Sequence, residues 1–435
     1  MKVTSIIISI FLISLHTLFA QSDTLILSLD SAINIATSEN PSIQIAGKKI
    51  DIQKQANAAA WEQMFSLSAT GQYSRAIKKN VFYLPQEMGG AREIGYNNSY
   101  NLAISASLVL VSPTLWKSIA ITKTDIEIAV EAVRASKITL INEVKKAYYA
   151  AMFAEDALAV LQQSLNVAQK SFDNIKLMYT QGLVAEYDMI RADVSVRNIK
   201  PTLVQMQNSV DLTKMLLKVL LSLPTDMPIK VEGSLTDMEK LMSDEVLING
   251  FDLSENTDLR SIELNIKKMQ QQKVLVNMQR IPSLAAFGQW QTTTQADDFK
   301  FNNYMWNYPL SVGLQLNIPL WDIYAKSREA KQVKIGIEQL QMQQDYLKQN
   351  LGVEAQNSLN KMLQAKEQLG SNKEGMLQAQ KGLDITQVRY NSGSGTILEL
   401  NDAQMALVQS KLNYNQAIYD YLVAKFELEK LLGKE

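Results

Sequence analysis

The sequence predicts a mainly α-helical fold with a smaller β part, built twice along the chain. Three observations support this prediction. Glycine and proline are scarce, with 18 and 9 in 435 residues, which favours long helices over an all-β fold. Apolar residues at seven-residue steps indicate helix packing, while four other segments alternate apolar and polar residues as strands do. The same series of segments also recurs in the second half of the chain.

The duplication is visible in three pairs of segments. The pairs share residues and order: 179–182 with 390–393, 66–72 with 283–289, and 38–40 with 254–256. Their offsets are similar, at 211, 217 and 216 residues. Each copy is then expected to hold a helix, two strands, a very long helix, a glycine turn and a second helix. We predict a first repeat over 21–221, a connecting segment over 222–254 and a second repeat over 255–435.

The first twenty residues are typical of a cleaved secretory signal peptide. Lys2 precedes the apolar run 6–19, and the small residue Ala20 precedes Gln21. No later stretch reaches the ~18 apolar residues that a membrane-spanning helix needs. We therefore expect residues 1–20 to be a signal peptide and the exported chain to have no transmembrane helix.

Six helices are predicted from apolar spacing and breakers: 29–63, 115–179, 185–221, 256–280, 323–390 and 396–432. The clearest apolar row steps by seven: Leu400, Leu407, Tyr414, Tyr421 and Leu428. A strict seven-residue repeat predicts left-handed coiled coils, here between antiparallel helices joined by short turns. The two longest helices would each reach roughly 100 Å. Pro201 should kink the helix that contains it.

Four strands are predicted, at 65–74, 101–111, 283–292 and 309–318. By alternation alone, a soluble sheet with one buried face would explain them. Export, a strand length of about ten residues and aromatic residues near the strand ends favour membrane strands instead. These aromatic residues are Phe82, Tyr83, Tyr96, Tyr100, Tyr304, Trp306 and Tyr308. Open sheet edges cannot face lipid, so two or more chains would have to pool their strands.

The composition argues against catalysis and nucleic-acid binding. The chain has no cysteine, and its one histidine, His16, lies in the predicted signal. The exported chain thus lacks the usual zinc ligands and the usual base for a Ser or Cys nucleophile. A net charge of −1 offers no basic surface for nucleic acid. Paired carboxylates leave an exported sugar hydrolase as a third hypothesis, but we predict no enzyme activity, no metal and no cofactor.

Two motifs, together with the duplication, resemble those of a known family. Residues 390–403 read YNSGSGTILELNDA, with a weaker first copy at 179–192, and residues 29–36 read LDSAINIA. Over nearly the whole exported chain, they resemble the TolC family of outer-membrane efflux proteins. The resemblance implies a homotrimer, in which four strands per chain form a 12-stranded outer-membrane β-barrel, in contact with lipid, above an α-helical periplasmic tunnel.

The resemblance also implies a function and partners. Such a protein is the passive exit duct of an efflux or secretion machine. It receives substrates from a periplasmic adaptor, or membrane-fusion, protein and an inner-membrane pump of the RND, ABC or MFS type. A periplasmic coiled-coil scaffold with no channel remains the alternative.

Two acids near the second glycine turn match the family's pore constriction. Glu399 and Asp402 are three residues apart, which places them on one helix face. Ordinary first-turn acids that complement the helix dipole are the alternative. The first copy has Asp188 and Arg191 at the equivalent positions, so the doubled acid is specific to the second copy.

The resemblance assigns a lock and docking tips to the same turns. Tyr390 and Asp188 match a pair that holds neighbouring tips together in the closed state. The family's basic partner in that lock falls at Gly395, so the closing network must differ here. The expected adaptor-docking tips are Gly182, Leu183 and Gly393.

Overall fold

The computed structural model describes residues 24–242, 250–320 and 323–434. The predicted signal peptide, 1–20, lies outside these ranges. The chain divides into two compact units. Of the described residues, unit one contains those up to Ala46, those within Val133–Leu259 and those from Leu347 onward, and unit two contains those within Gly47–Ala132 and Arg260–Tyr346. Each unit therefore takes residues from both halves of the sequence.

Helices dominate the described chain and confirm the predicted fold class. They are α1 (Leu29–Glu39), α2 (Pro41–Glu62), α3 (Pro113–Thr180), α4 (Glu186–Leu220), α5 (Leu235–Met238), α6 (Thr257–Met278), α7 (Ile323–Asn391) and α8 (Ile397–Leu431). The long helices α3 and α7 contain 68 and 69 residues, and α4 and α8 contain 35 each. No described helix is long and apolar enough to cross a membrane.

The prediction of a single helix over 29–63 is wrong, because the helix is interrupted at Asn40. This residue has an extended backbone, with φ −67° and ψ 125°. Its side-chain oxygen accepts a hydrogen bond from the Ser42 N–H at 2.9 Å, and Pro41 begins α2, where a missing N–H costs no helical hydrogen bond. In α4, by contrast, the helix continues on both sides of Pro201.

The core of unit one includes a small sheet that the sequence did not predict. Strands β1 (Leu25–Leu27) and β6 (Ile229–Val231) pair in parallel. Residues of α3, α4, α7 and α8 pack with them around nearly inaccessible side chains, among them Leu27, Val144, Leu217 and Ile418. The Tyr148 hydroxyl lies within hydrogen-bond distance of the Leu27 carbonyl, at 3.1 Å, and of the Glu232 carbonyl, at 3.0 Å.

Unit two carries an antiparallel sheet with strand order β2–β5–β7–β8. The strands are β2 (Phe65–Arg75), β5 (Asn98–Val111), β7 (Ser283–Ala296) and β8 (Leu310–Asn317). All four predicted strands are thus confirmed, although β5 begins three residues earlier and β7 ends four residues later than predicted. A further hairpin, β3 (Asn80–Tyr83) and β4 (Ala91–Ile94), lies in the connection between β2 and β5.

Candidate functional site

The register of the sheet collects most of its large apolar side chains on one face. Leu67 is opposite Ala106, Ala106 is opposite Gly288, and Gly288 is opposite Val312. Side chains alternate between the two faces along a strand. In each strand, every second residue before and after these four therefore lies on the same face. Most of its large apolar side chains are exposed, with Val312 at 81 % and Leu67 at 66 %. This face we call the apolar face.

The opposite face is mainly polar. It carries side chains such as Ser66, Thr70, Ser105, Gln289, Gln315 and Asn317, which alternate with the apolar row. A broad exposed apolar surface marks contact with a membrane or another protein. Strands that are apolar on one side and polar on the other are typical of a membrane barrel around an aqueous lumen.

Both outer strands of the sheet have an open edge. Within the described chain, β2 pairs only with β5, and β8 pairs only with β7. The free edges present unpaired backbone N–H and C=O groups, which cannot be left in lipid.

Aromatic rings gather at the sheet end that adjoins the β2–β5 and β7–β8 connections. The Tyr100 ring centroid lies 5.1 Å from that of Tyr73, 5.3 Å from that of Phe301 and 5.8 Å from that of Tyr304. Trp306 follows at 6.4 Å from Tyr304. Amphipathic aromatic rings at strand ends suit a membrane–water interface.

The two glycine turns of unit one have the same backbone geometry. Gly182 and Gly393 are left-handed, with φ of 72° and 73°. In both turns the next residue, Leu183 or Ser394, donates its N–H at 2.9 Å to the carbonyl five residues earlier. A left-handed residue here favours glycine, because other residues are strained by their Cβ.

Both turns rest on one apolar cluster, which we call the tip cluster. Its buried members are Ile175, Ala192, Ile397 and Leu400, and Tyr390 and Met189 pack against them. The structure therefore brings residues near both predicted tips together. Leu183 remains 66 % exposed at the first turn.

Glu399 is paired with a cation that the sequence reasoning missed. The Arg389 guanidinium lies 3.5 Å from a Glu399 carboxylate oxygen, and both side chains are about half exposed. Arg389 also donates to the Ser394 carbonyl at 3.2 Å. Thr396 caps α8 by accepting from the Glu399 N–H at 3.2 Å. Asp402 is exposed one turn further along.

The corresponding positions at the Gly182 turn are arranged differently. Ala185 precedes α4 and makes no capping hydrogen bond through its side chain. The Arg191 guanidinium lies 5.4 Å from the centre of the Tyr187 ring, a cation–π contact. The two turns thus have the same backbone geometry but differ in the charged side chains beside them.

Tyr390 and Asp188 are electrostatic neighbours without a hydrogen bond between them. In the described chain the buried Tyr390 hydroxyl has no hydrogen-bond partner. Burial of its ring and hydroxyl raises the pKa of Tyr390, and the negative charge of Asp188 raises it further. The hydroxyl therefore remains protonated at neutral pH and able to donate to an acceptor.

Comparison with known proteins matches most of the sequence to one family. A model described as outer membrane efflux protein matches residues 32–221 and 252–434. The chain belongs to the outer membrane efflux protein family. Outer membrane protein TolC of Salmonella enteritidis is 22 % identical over 373 residues, which cover 80 % of this chain and 74 % of the relative. The TolC of Escherichia coli strain K12 is also 22 % identical, over 388 residues.

Three solved structures share the fold. CusC has a TM-score of 0.75 at 17 % identity and covers 94 % of this chain and 92 % of its own. VceC of Vibrio cholerae has a TM-score of 0.71 at 15 % identity, with coverage of 93 % and 96 %. MtrE of Neisseria gonorrhoeae has a TM-score of 0.69 at 18 % identity, with coverage of 93 % and 89 %.

Family membership gives the function class and the location. As an outer membrane efflux protein, the chain is an exit duct of the outer membrane that extends into the periplasm, and it is not an enzyme. The predicted duct is confirmed, and the scaffold without a channel finds no support. Proteins of this kind function in general as trimers with a periplasmic adaptor and an inner-membrane pump.

Proposed function

We propose that three copies of this chain join their sheets edge to edge into a twelve-stranded barrel. The observation that carries the proposal is a four-stranded sheet with an exposed apolar face and two open edges. Pairing β2 of one copy with β8 of the next would satisfy both edges. Four strands are fewer than the ~8 of the smallest known closed membrane barrels, so one chain is too small to close alone.

Exposed apolar residues on the helices of unit one support the same assembly. On α4 they include Ile190, Val194, Val204, Leu212, Leu216 and Val219. On the part of α7 that belongs to this unit they are Val353, Leu363, Leu377, Ile385 and Val388. Helices that leave such residues in water are expected to bury them against helices of a neighbouring copy.

The assembled protein would act as a passive conduit. The polar face of the sheets would line the barrel, and an adaptor protein with an inner-membrane pump of the RND, ABC or MFS type would deliver the substrates. The docking tips would be Gly182, Leu183 and Gly393. Support comes from the exposure of Leu183, which offers an apolar contact at the turn.

The acids of the second copy would form the pore constriction. Three copies of Glu399 and Asp402 bring six carboxylates toward one axis, which favours cations over anions. Arg389 would offset part of this charge through its ion pair with Glu399. Tyr390 and Asp188 would lock neighbouring tips, since the Tyr390 hydroxyl is unpaired within the described part of its own chain.

We further propose that 21–221 and 255–435 are two copies of one unit, joined by 222–254, after a cleaved signal at 1–20. Helices α4 and α8 both contain 35 residues at an offset of 211. Helices α2 and α6 both contain 22 residues at an offset of 216. N-terminal sequencing of the purified protein would test the cleavage site.

Disulfide crosslinking tests the barrel, because the natural chain has no cysteine. Cysteine at Thr70 of β2 would be combined in turn with cysteine at Ser311, Gly313, Gln315 or Asn317 of β8. A disulfide forms only where Cα atoms approach to about 4.4–6.8 Å. We expect at least one pair to give covalent dimers and trimers in the outer-membrane fraction.

The matched control places the same cysteines on inner strands, at Ser105 and Gln289. These positions already face each other within one chain, so they should crosslink without joining chains. Absence of interchain products from every edge pair, or recovery of the protein in the soluble periplasm, would contradict the proposed barrel.

A further inference from the structure

The aromatic rings of the sheet lie at the end away from the helices. At the opposite end the strands continue into helices, since β2 begins at Phe65 just after α2 and β5 ends at Val111 just before α3. Strands β7 and β8 join α6 and α7 at that same end. In the proposed barrel the helices extend into the periplasm, so the end with the aromatic rings would lie in the outer leaflet.

One row of side chains along β2 changes from apolar to aromatic to cationic toward this end. The Tyr73 hydroxyl donates to the side-chain oxygen of Asn98 at 2.9 Å, and Arg75 lies opposite Asn98 in the register. Tyrosine rings and then cations are found where a chain leaves the hydrocarbon and enters the headgroup layer. Every second residue of β2 belongs to this row on the apolar face: Phe65, Leu67, Ala69, Gly71, Tyr73 and Arg75.

Two cations at this end have no ionic partner. Arg75 and Lys78 are exposed, and neither is paired with a carboxylate of the described chain. Lys79, by contrast, lies 3.0 Å from a carboxylate oxygen of Asp297. This ion pair joins the β2–β5 connection to the β7–β8 connection, so it holds the segment with the two unpaired cations beside the end of the sheet.

Ile77 lies between the two unpaired cations and is fully exposed. An exposed apolar side chain with cations beside it is typical of segments that enter the boundary between headgroups and hydrocarbon. The β2–β5 connection carries a surplus of positive charge, because residues 75–97 contain four Lys or Arg and two Glu, whereas the whole chain has a net charge of −1. The segment 75–78 therefore combines positive charge with an apolar contact.

We propose that Arg75 and Lys78 bind the phosphate groups of anionic lipids in the outer leaflet, with Ile77 inserted beside the acyl chains. Unpaired cations complement lipid phosphates in charge. Their place at the end of the apolar row on β2 brings them to the level of the headgroups. The inference rests on the proposed function, because the apolar face meets lipid only in the barrel.

Charge variants test the site. Arg75→Gln and Lys78→Gln, alone and together, remove the positive charges, and Arg75→Lys keeps the charge. Lys54→Gln is the matched control, because Lys54 is also exposed and without an ionic partner in the described chain, but lies on α2. Binding would be measured by native mass spectrometry of the purified, delipidated assembly, titrated with palmitoyl-oleoyl phosphatidylglycerol and, separately, with the zwitterionic palmitoyl-oleoyl phosphatidylcholine.

We expect the natural assembly to bind phosphatidylglycerol more tightly than phosphatidylcholine, because only phosphatidylglycerol has a net negative charge. Each single Gln variant should weaken binding of phosphatidylglycerol by about fivefold, as the loss of one cation near a membrane surface predicts, and the double variant by about 25-fold. Arg75→Lys and Lys54→Gln should bind as the natural protein does.

Equal binding of the two lipids by the natural protein, or an unchanged affinity for phosphatidylglycerol in the double variant, would overturn the proposal. Displacement of the lipid by inorganic phosphate at equal concentration would indicate a site for free phosphate only, which would also overturn it. The edge crosslinks from Thr70 separate these outcomes from a failure of the barrel. Their absence in the natural background contradicts the proposed function before any lipid is added.

Discussion

Asn256 and Leu431 are joined by a 2.9 Å hydrogen bond, which the side-chain amide of Asn256 donates to the Leu431 carbonyl. The amide oxygen of Asn256 accepts from two backbone N–H groups at the start of α6, at 3.0 and 3.1 Å. One buried side chain therefore caps the beginning of α6 and the last turn of α8. Asn40 makes the same kind of contact with the Leu220 carbonyl, at 2.8 Å.

The Asn256 contact predicts a measurable loss of stability. Asn256→Ala should lower the free energy of unfolding by about 1–3 kcal/mol, because a helix cap and a buried hydrogen bond are lost together. Asn256→Asp keeps the capping oxygen but places a carboxylate oxygen against the Leu431 carbonyl, so it should also destabilise the protein. Urea unfolding followed by circular dichroism measures both. The exposed Asn198→Ala is the control, and an unchanged Asn256→Asp would refute the donor role.

Gly433 should tolerate no side chain. Its φ is +69°, and a Cβ would lie 2.0 Å from the Glu255 carbonyl oxygen. Gly433→Ala should therefore cost more than about 1 kcal/mol of unfolding free energy. Ser222, which corresponds to Gly433 at the sequence offset of 211, already carries a side chain at φ 57°. Ser222→Gly should be neutral or stabilising in the same urea experiment, and equal losses in the two variants would contradict this difference.

The acids of the second tip should control ion flow. Glu399→Ala combined with Asp402→Ala should raise single-channel conductance in planar bilayers and weaken block by multivalent cations, because the carboxylates that would bind those cations are removed from the proposed constriction. Arg389→Gln should strengthen the same block, since it frees Glu399 from its ion pair. Arg197→Gln, in an exposed pair within α4, is the control. If the acid variants and Arg389→Gln changed the block in the same direction, the assignment would be wrong.

Tyr390→Phe should ease opening of the channel without destabilising the fold. The hydroxyl it removes has no hydrogen-bond partner in the described chain, whereas the ring that remains packs on the tip cluster. We expect a higher open fraction in planar bilayers and an unchanged urea midpoint. Tyr390→Ala, which also removes the ring, should lower that midpoint. A Phe variant as closed as the natural protein would argue against the lock.

The Glu239 carboxylate should make unit one sensitive to acid. It accepts a hydrogen bond from the Tyr414 hydroxyl at 2.6 Å and lies 2.9 Å from the Lys373 ammonium. These two partners hold the pKa of Glu239 below its ordinary value. Its stabilising contribution is therefore complete above the ordinary carboxyl pKa and is lost as the pH falls through the lowered one.

Urea midpoints measured between pH 7 and pH 3 would test this dependence on Glu239. Glu239→Gln should lower the midpoint at neutral pH and show a shallower loss toward pH 3. Glu374→Gln, at an exposed carboxylate beside Lys373, should keep the natural profile. Parallel profiles for the natural protein and Glu239→Gln would show that this carboxylate does not contribute.

Local patterns predicted much of the fold. The four strands were found because an apolar face repeats at every second residue, and a run such as 310–318 shows this directly. The turns at Gly182 and Gly393 were found because a left-handed backbone position selects glycine, whatever its distant neighbours are.

Contacts between distant segments were not predictable in the same way. Strands β1 and β6 have three residues each and lie about 200 positions apart, so neither shows a period of its own. The break at Asn40 was missed although its Asn-Pro sequence was visible, because the side chain also requires the Leu220 carbonyl from a distant helix end. Arg389 meets Glu399 only after the glycine turn folds the chain back.

The sequence by itself determined the strands, the long helices, the glycine turns and the resemblance to outer-membrane ducts, since each depends on short-range periodicity or a local motif. Only the tertiary structure decided which charges and hydroxyl groups have partners. Glu399 forms an ion pair with Arg389, whereas the hydroxyls of Thr292 and Tyr390 have no hydrogen-bond partner in the described chain. The physical reason is that a side-chain hydrogen bond or ion pair requires approach within a few ångströms, which the packing of distant segments sets.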